Sequence, residues 1–233
     1  VPSPCPPGLD DHWLGTDESG HDMTARLFGG FRLLLFSALI YLPCMYAIGL
    51  LMGAAMGYFG GWFDMACQRL IEVWSNIPFL YAIIFLASLL EPTLGILILI
   101  LVAFSWIGLA QQLRASAYQV SARDYVTASR ALGASHLRII WRHILPNCTT
   151  VILTTLPFSL HGLITSLSAL DYLGFGLPPT EPSWGNLLQQ AKENMNAWWI
   201  LTPTLFCMVV TLLMINSIGE ALQDAFDLRR AQR

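Results

Sequence analysis

Of 233 residues, 55% are hydrophobic and only 12% are charged, about half the roughly 25% charge of a soluble globular domain. This argues against a compact soluble fold. Twelve Lys+Arg against fifteen Asp+Glu give a net charge of -3, and all the basic residues except Lys192 are Arg. No basic face of the kind nucleic acid requires is implied. The apolar residues instead fall in runs long enough for helices that cross a bilayer, about 20 residues each, which points to a polytopic α-helical membrane protein. A transmembrane β-barrel would show short alternating segments. Cys5, Cys44, Cys67, Cys148 and Cys207 form no C-x-x-C pattern and read as small core residues.

In chain order, the opening VPSPCPPGLDDHWLGTDESGHD lacks the basic and apolar regions of a signal peptide and reads as a polar extramembrane segment with an upstream portion missing. A first span is expected from about Phe31 to Tyr58, with Gly49, Gly53 and Gly57 on one face, where another helix backbone can approach closely. A second runs from Met65 to Leu90, kinked at Pro78, with Arg69 and Glu72 paired near its start. A third covers Leu94 to Leu113. The fourth, Thr149 to Leu173, is threaded with Ser and Thr and broken by Pro157. The fifth, Ala197 to Ile218, begins at Trp198 and Trp199, an aromatic pair that marks a membrane interface.

Arg sets the expected orientation. Arg114, Arg123, Arg130, Arg138 and Arg142 lie between the third and fourth spans, and Arg229, Arg230 and Arg233 follow the fifth. Both regions are then cytoplasmic. Five spans with an inner C-terminus put the N-terminal segment outside, so a further span is expected upstream.

Between Asp124 and Asn147 the periodicity describes a helical hairpin. Tyr125, Ala128 and Leu132 share one face of a short helix, Gly133 permits a turn, and Leu137, Ile140, Trp141 and Ile144 follow at helical spacing before Pro146 ends the second helix. Apolar and Arg-bearing faces suit this element to docking a soluble partner; by periodicity alone it could equally lie on lipid headgroups.

At these residues a family resemblance emerges. An Ala-rich helix, Gly133 and then Ile144-Leu145-Pro146 resemble the cytoplasmic coupling loop of permease subunits in ATP-binding-cassette importers. HWLGTDESGHDMTARLFGG, from His12 to Gly30, resembles the H-x-L-G-T-D-x-x-G-R-D-x-x-x-R-x-x-x-G signature of dipeptide and oligopeptide permeases. LDYLGFGLPPTEPSWGNLL, from Leu170 to Leu188, resembles their outer loop. The likeness is nearest to the YejE type, whose relatives take up peptide antibiotics of the microcin C kind. Two positions depart from the pattern: Thr127, Ala128 and Ser129 stand where the loop has Glu-Ala-Ala, and His21 stands where the signature has Arg.

The resemblance implies an all-α, polytopic transmembrane bundle of the importer-permease (MetI-like) type, with five spans here plus a missing first one. Residues 1–28 form an extracytoplasmic segment and 29–233 the permease domain, with a coupling loop at 114–147 and an outer loop at 174–196. Tyr125, Thr127, Ala128, Ser129, Leu132, Gly133, Leu137, Arg138, Trp141 and Pro146 would meet the ATPase. The implied partners are a second homologous permease, two ATP-binding-cassette ATPase subunits or domains that carry ATP and Mg, and an extracytoplasmic peptide-binding protein. The setting is the bacterial inner membrane, and this chain itself binds no cofactor and catalyses no reaction.

Several readings stay open. Thr154, Thr155, Pro157, His161 and Thr165 either line a hydrated peptide path or bond to backbone carbonyls and neighbouring helices. Asp171 is solvated, caps a turn, or meets a peptide's amino terminus. No G-x-x-x-x-G-K-[ST], H-E-x-x-H or G-x-S-x-G occurs, so the motifs for ATP hydrolysis, zinc proteolysis and a serine nucleophile are missing. The alternative is a secondary transporter or channel without ATPases, which requires intramembrane carboxylates that these spans scarcely offer.

Overall fold

The computed structural model describes residues 4–8, 12–90 and 92–231, with side chains at all of these except 87, 88 and 226–231. Asp10, Asp11, Arg233 and the side chains of Arg229 and Arg230, which entered the charge pattern, lie outside that set. The elements are α1 (Met23–Phe59), α2 (Gly61–Ser75), α3 (Phe79–Leu89), α4 (Leu94–Ser121), α5 (Asp124–Ala131), α6 (His136–Ile139), a π-helical turn (Ile140–Ile144), α7 (Leu145–Asn147), α8 (Thr149–Tyr172), α9 (Trp184–Glu193) and α10 (Trp198–Ala231). Among the described residues there is no strand, only an isolated bridge between Thr16 and Asp22.

Four of these helices, α1, α4, α8 and α10, are long and apolar enough to cross a membrane, and α2 with α3 forms an apolar pair bent by 67°, either one broken span or a re-entrant loop. The bend falls at Asn76–Pro78, where the kink was expected. Pro78 cannot donate a backbone hydrogen bond, and Asn76 closes α2 by donating its amide to Glu72 O at 2.7 Å.

Several helix limits differ from the sequence reading. α1 starts at Met23, inside the segment assigned to residues 1–28, because Asp22 caps it by accepting Thr24 N at 2.9 Å. α4 runs eight residues past Leu113, so the loop expected over 114–147 opens only after Ser121, whose hydroxyl donates to Tyr118 O and Gly57 O. Pro146 does not end the hairpin's second arm. It sits at the first turn of α7, where no amide donor is needed, and Cys148 N still reaches Ile144 O at 3.1 Å.

Pro157 does not break α8 either. Around it, Thr154 Oγ1 donates to Val151 O at 3.1 Å and Ser159 Oγ to Thr155 O at 2.9 Å. Such hydroxyls supply the polar contacts that a helix in lipid needs near proline.

The chain divides into two compact units. One takes residues up to Tyr41, Ile83–Leu101 and Leu160–Asn216; the other takes Leu42–Ala82, Val102–Ser159 and the residues from Ser217. In the first, the two sequence signatures become one piece of structure. Asp17, fully buried, accepts Ser19 N, His21 N and Arg26 Nε. Arg26 then donates to Thr180 O and Pro179 O, both at 3.1 Å, and Trp184 Nε1 donates to Leu27 O at 2.9 Å.

In the second unit α1 packs against α4 through its glycines. A Cβ at Gly53 would lie 2.6 Å from Ala110 O, one at Gly57 2.5 Å from Arg114 O, and one at Gly49 2.8 Å from Leu109 Cδ2. α2 lies antiparallel along α4. Arg114 grips Asp64 with two bonds of 2.5 Å, Gln68 and Gln111 exchange amide bonds of 2.9 and 3.1 Å, and Trp74 Nε1 donates to Ala103 O at 3.0 Å.

Candidate functional site

The hairpin is built around its turn. Gly133 holds φ +80°, a left-handed conformation that glycine adopts without strain. Ala134 N donates to Ser129 O and Gly133 N to Arg130 O, the paired bonds of a Schellman cap on α5. Two residues later Ser135 caps α6 by accepting Arg138 N. The arms are therefore joined by a short connection, Gly133 and Ala134 alone standing between the C-cap Leu132 and the N-cap Ser135.

One face of the hairpin is buried and the other is open. Val126, Ile139, Ile140, Ile144 and Leu145 enter a core with Ala54 and Tyr58 of α1 and with Leu113, Ala117 and Val120 of α4. Leu132, Leu137 and Trp141 project outward, 88%, 71% and 61% exposed. Ile140 and Trp141 are adjacent, yet one is buried and the other exposed. Tyr125 is partly exposed, with its ring 6.0 Å from that of His143. Thr127, Ala128, Arg138 and Pro146 are exposed, while Ser129 is half-buried with its hydroxyl 3.4 Å from His143 Nε2. Nine of the ten residues expected at the ATPase surface, Gly133 at the tip among them, are thus exposed, and Ser129 is half-buried.

The residues expected to line a path have different surroundings. Thr155 is buried, with its hydroxyl among Val151 O, Ile152 O and Tyr46 OH. Thr154 turns its hydroxyl to Val151 O, and Pro157 is buried where a Cβ on Gly219 would lie 2.5 Å from its ring. These groups satisfy the backbone and pack helices. His161 is half-buried. Thr165 alone of the set is open, in a groove of about 750 Å³ between α8 and α10 whose rim carries Lys192 over the Tyr172 ring at 5.5 Å.

Of the three readings of Asp171, the structure shows the turn-organising one. It is 2% exposed, and both carboxylate oxygens are used within the outer loop, accepting Leu177 N at 2.7 Å and the Ser183 hydroxyl. Gly176 and Gly185 pack against it so closely that a Cβ at either would collide with it. The carboxylate shapes the loop from within. Outside the spans, burial raises the Glu18 carboxyl above its ordinary range, Glu193 and Asp17 add to the rise, and a hydrogen bond from Asn194 opposes it.

Sequence reasoning missed three sets of residues. Asp64 with Arg114 and Gln68 with Gln111 were legible as polar positions one turn apart on two apolar helices, i and i+4 on α2 and i and i+3 on α4. Arg114 was counted with the loop instead. Tyr58, which meets both arms of the hairpin, carried no local signal. Among the described residues no group of three His, Cys, Asp or Glu is placed to hold a metal.

Apolar spans packed through glycines and carrying an exposed amphipathic hairpin make this a helical integral membrane protein. The chain belongs to the family described as binding-protein-dependent transport system inner membrane component, whose model matches residues 49–232. It is 43% identical to the inner membrane ABC transporter permease protein YejE of Escherichia coli over 99% of this chain and 67% of that one. It is 42% identical to the peptidoglycan transport system permease protein YejE of Agrobacterium fabrum over 95% of this chain. The dipeptide transport system permease protein DppC of Bacillus subtilis is 35% identical over 96% of this chain. The chain spans 58% of the length of the Agrobacterium relative.

A chain of the MetNI methionine ABC transporter shares the fold, with a TM-score of 0.71 over 87% of this chain and 97% of its own, at 18% identity. Family membership places the chain among multi-pass inner membrane components and is at odds with the alternative of a secondary transporter or channel that works without ATPases.

Proposed function

We propose that this chain is one permease subunit of an ATP-driven peptide importer. It forms half of a translocation path with a second, homologous permease, and it receives the work of two ATPase subunits through the hairpin of residues 124–147. The observation that carries this reading is the hairpin's division: one face is fixed in a core with α1 and α4, while Leu132, Leu137 and Trp141 stand exposed on the other. Exposed aliphatic and aromatic side chains around a rigid tip suit insertion into a groove of a partner.

In this reading the hairpin and the C-terminus are cytoplasmic and the N-terminal segment is extracytoplasmic, as the Arg distribution favours. ATP and Mg²⁺ are held by the ATPase subunits, and this chain contributes no catalytic group. Closure of the ATPases displaces the hairpin as one body and switches the path's access. A peptide-binding protein delivers substrate at the outer loop, which the Arg26 bonds to residues 179 and 180 hold against the N-terminal segment. Peptide as substrate is supported by the relatives' names, which specify dipeptide and peptidoglycan transport.

The test is purification of the chain from bacterial membranes, alone and as Leu137→Asp. The parent should bring down two ATPase chains and a second permease, and the variant should lose the ATPases and ATP-driven peptide uptake. A solitary parent chain active in proton-driven uptake, or normal uptake by Leu137→Asp, overturns the proposal.

A further inference from the structure

We infer that Tyr58 is the positioning residue that makes both arms of the hairpin move as one body with α1. The inference deepens the coupling role proposed above and rests on it. Tyr58 is the penultimate residue of α1 and only 6% exposed. Its hydroxyl lies 2.9 Å from Nδ1 of His136, the first residue of the second arm. The guanidinium of Arg130, in the last turn of the first arm, stands 5.0 Å over the centre of its ring. One side chain therefore holds residues on both sides of the Gly133 turn.

Neighbouring contacts make this arrangement a lever. Leu132 and Leu137, the most exposed apolar residues of the hairpin, lie within two positions of Arg130 and His136. A load applied at the tip enters the chain beside the residues that Tyr58 grips. The rest of the buried face is aliphatic (Val126, Ile139, Ile140, Ile144), and such packing is non-directional and permits sliding. The hydrogen bond and the cation–π contact fix direction as well as proximity. Beyond Tyr58, Gly57 is pressed on α4, where a Cβ would lie 2.6 Å from Ala117 Cβ, and Gly57 O accepts the Ser121 hydroxyl at 3.3 Å. Displacement of Tyr58 is thereby shared between α1 and α4.

The experiment uses the complete importer, with both permeases, the ATPases and the binding protein, in proteoliposomes, and reads peptide uptake per ATP hydrolysed. Tyr58→Leu removes both directional contacts. It should keep the ATPases bound and basal hydrolysis intact, while uptake per ATP falls about tenfold, the scale of one hydrogen bond and one cation–π contact. Tyr58→Phe keeps the ring and should fall between Tyr58→Leu and the parent.

Should Tyr58→Leu fail to accumulate, the paired exposed changes Arg130→Gln and His136→Ala should reproduce the loss. Normal uptake per ATP in Tyr58→Leu, or in that pair, overturns the inference whenever Leu137→Asp is defective. Leu137→Asp behaving as the parent overturns the coupling reading itself.

Discussion

Adding one methyl group at Gly53 tests the contact that brings α1 against α4. A Cβ there would stand 2.6 Å from Ala110 O and 2.9 Å from Leu113 Cβ, whereas a carbon approaches a carbonyl oxygen comfortably at about 3.3–3.6 Å. The obstacle is backbone, so no side-chain rotation relieves it, and Gly53→Ala must part the helices by about 0.7–1.0 Å. A gap of that size forfeits about a quarter to a half of each lost contact, and overpacking of this kind costs about 1–3 kcal/mol. Alanine's better helix propensity returns up to about 1 kcal/mol.

The control lies in the partner helix. At Gly108 of α4 a Cβ meets nothing within 4 Å, so Gly108→Ala should retain only the propensity gain of about 0.5–1 kcal/mol. Thermal unfolding of the purified chain in detergent should place Gly53→Ala below the parent and Gly108→Ala at or above it, at roughly 2–4 °C per kcal/mol for a chain of this size. Equal melting temperatures for the two variants would refute the close approach.

Three further outcomes follow from ion pairs and one carboxyl. Arg26→Leu leaves the fully buried Asp17 charge without its guanidinium, which costs about 3–5 kcal/mol; proteolysis of residues 12–22 should accelerate sharply, and unchanged protection would contradict the structural role of the Asp17–Arg26 pair. Arg114→Leu strands Asp64, whose side chain is 17% exposed, and Asp64→Leu in the same chain should recover much of the lost stability, as a double-mutant cycle on melting temperatures can read; strictly additive losses would refute it. Because the fold raises the Glu18 carboxyl above its ordinary value of 4.5, its ionised form costs stability above the folded pKa and the cost fades as pH falls through it. Glu18→Gln should therefore be more stable than the parent at neutral pH, with the advantage shrinking toward pH 4.5; a gain that grows on acidification would have the sign wrong.

The spans could be drawn from the sequence because apolar runs are set by composition, and the bend at Pro78 because proline acts locally. Helix ends were less legible. α4 continues to Ser121 because that hydroxyl finds Gly57 O, 64 residues away, and no local pattern announces such a partner. Proline was over-read at Pro146 and Pro157: a first-turn position and nearby hydroxyls each remove the reason for a break. At the candidate site, Gly133 was legible since few residues other than glycine suit its left-handed turn. Tyr58 was not, because its meaning depends on Arg130 and His136 arriving from the other side of α4. The role of Asp171 stayed open between three readings because its bonds to Leu177 and Ser183 come from the loop that it organises.

Helices in lipid gain no hydrophobic advantage from touching one another, so specific packing falls to small residues and polar pairs. This gives the scarcity of charge a structural meaning. In the unit that carries the hairpin, Gly49, Gly53 and Gly57 admit α4, Asp64 meets Arg114, Gln68 meets Gln111, and Tyr46 meets Thr155. In the other unit, Asp17 meets Arg26 and Trp184 meets Leu27 O. These polar groups fix the register of one segment on another, which an apolar surface alone would leave free to slide. A subunit that must change shape without losing register needs a few directional contacts separated by deformable apolar packing. On that logic Tyr58 is more informative than the exposed Leu132 and Leu137, because one side chain that combines an aromatic face with a hydrogen-bonding group makes a directional contact to both arms.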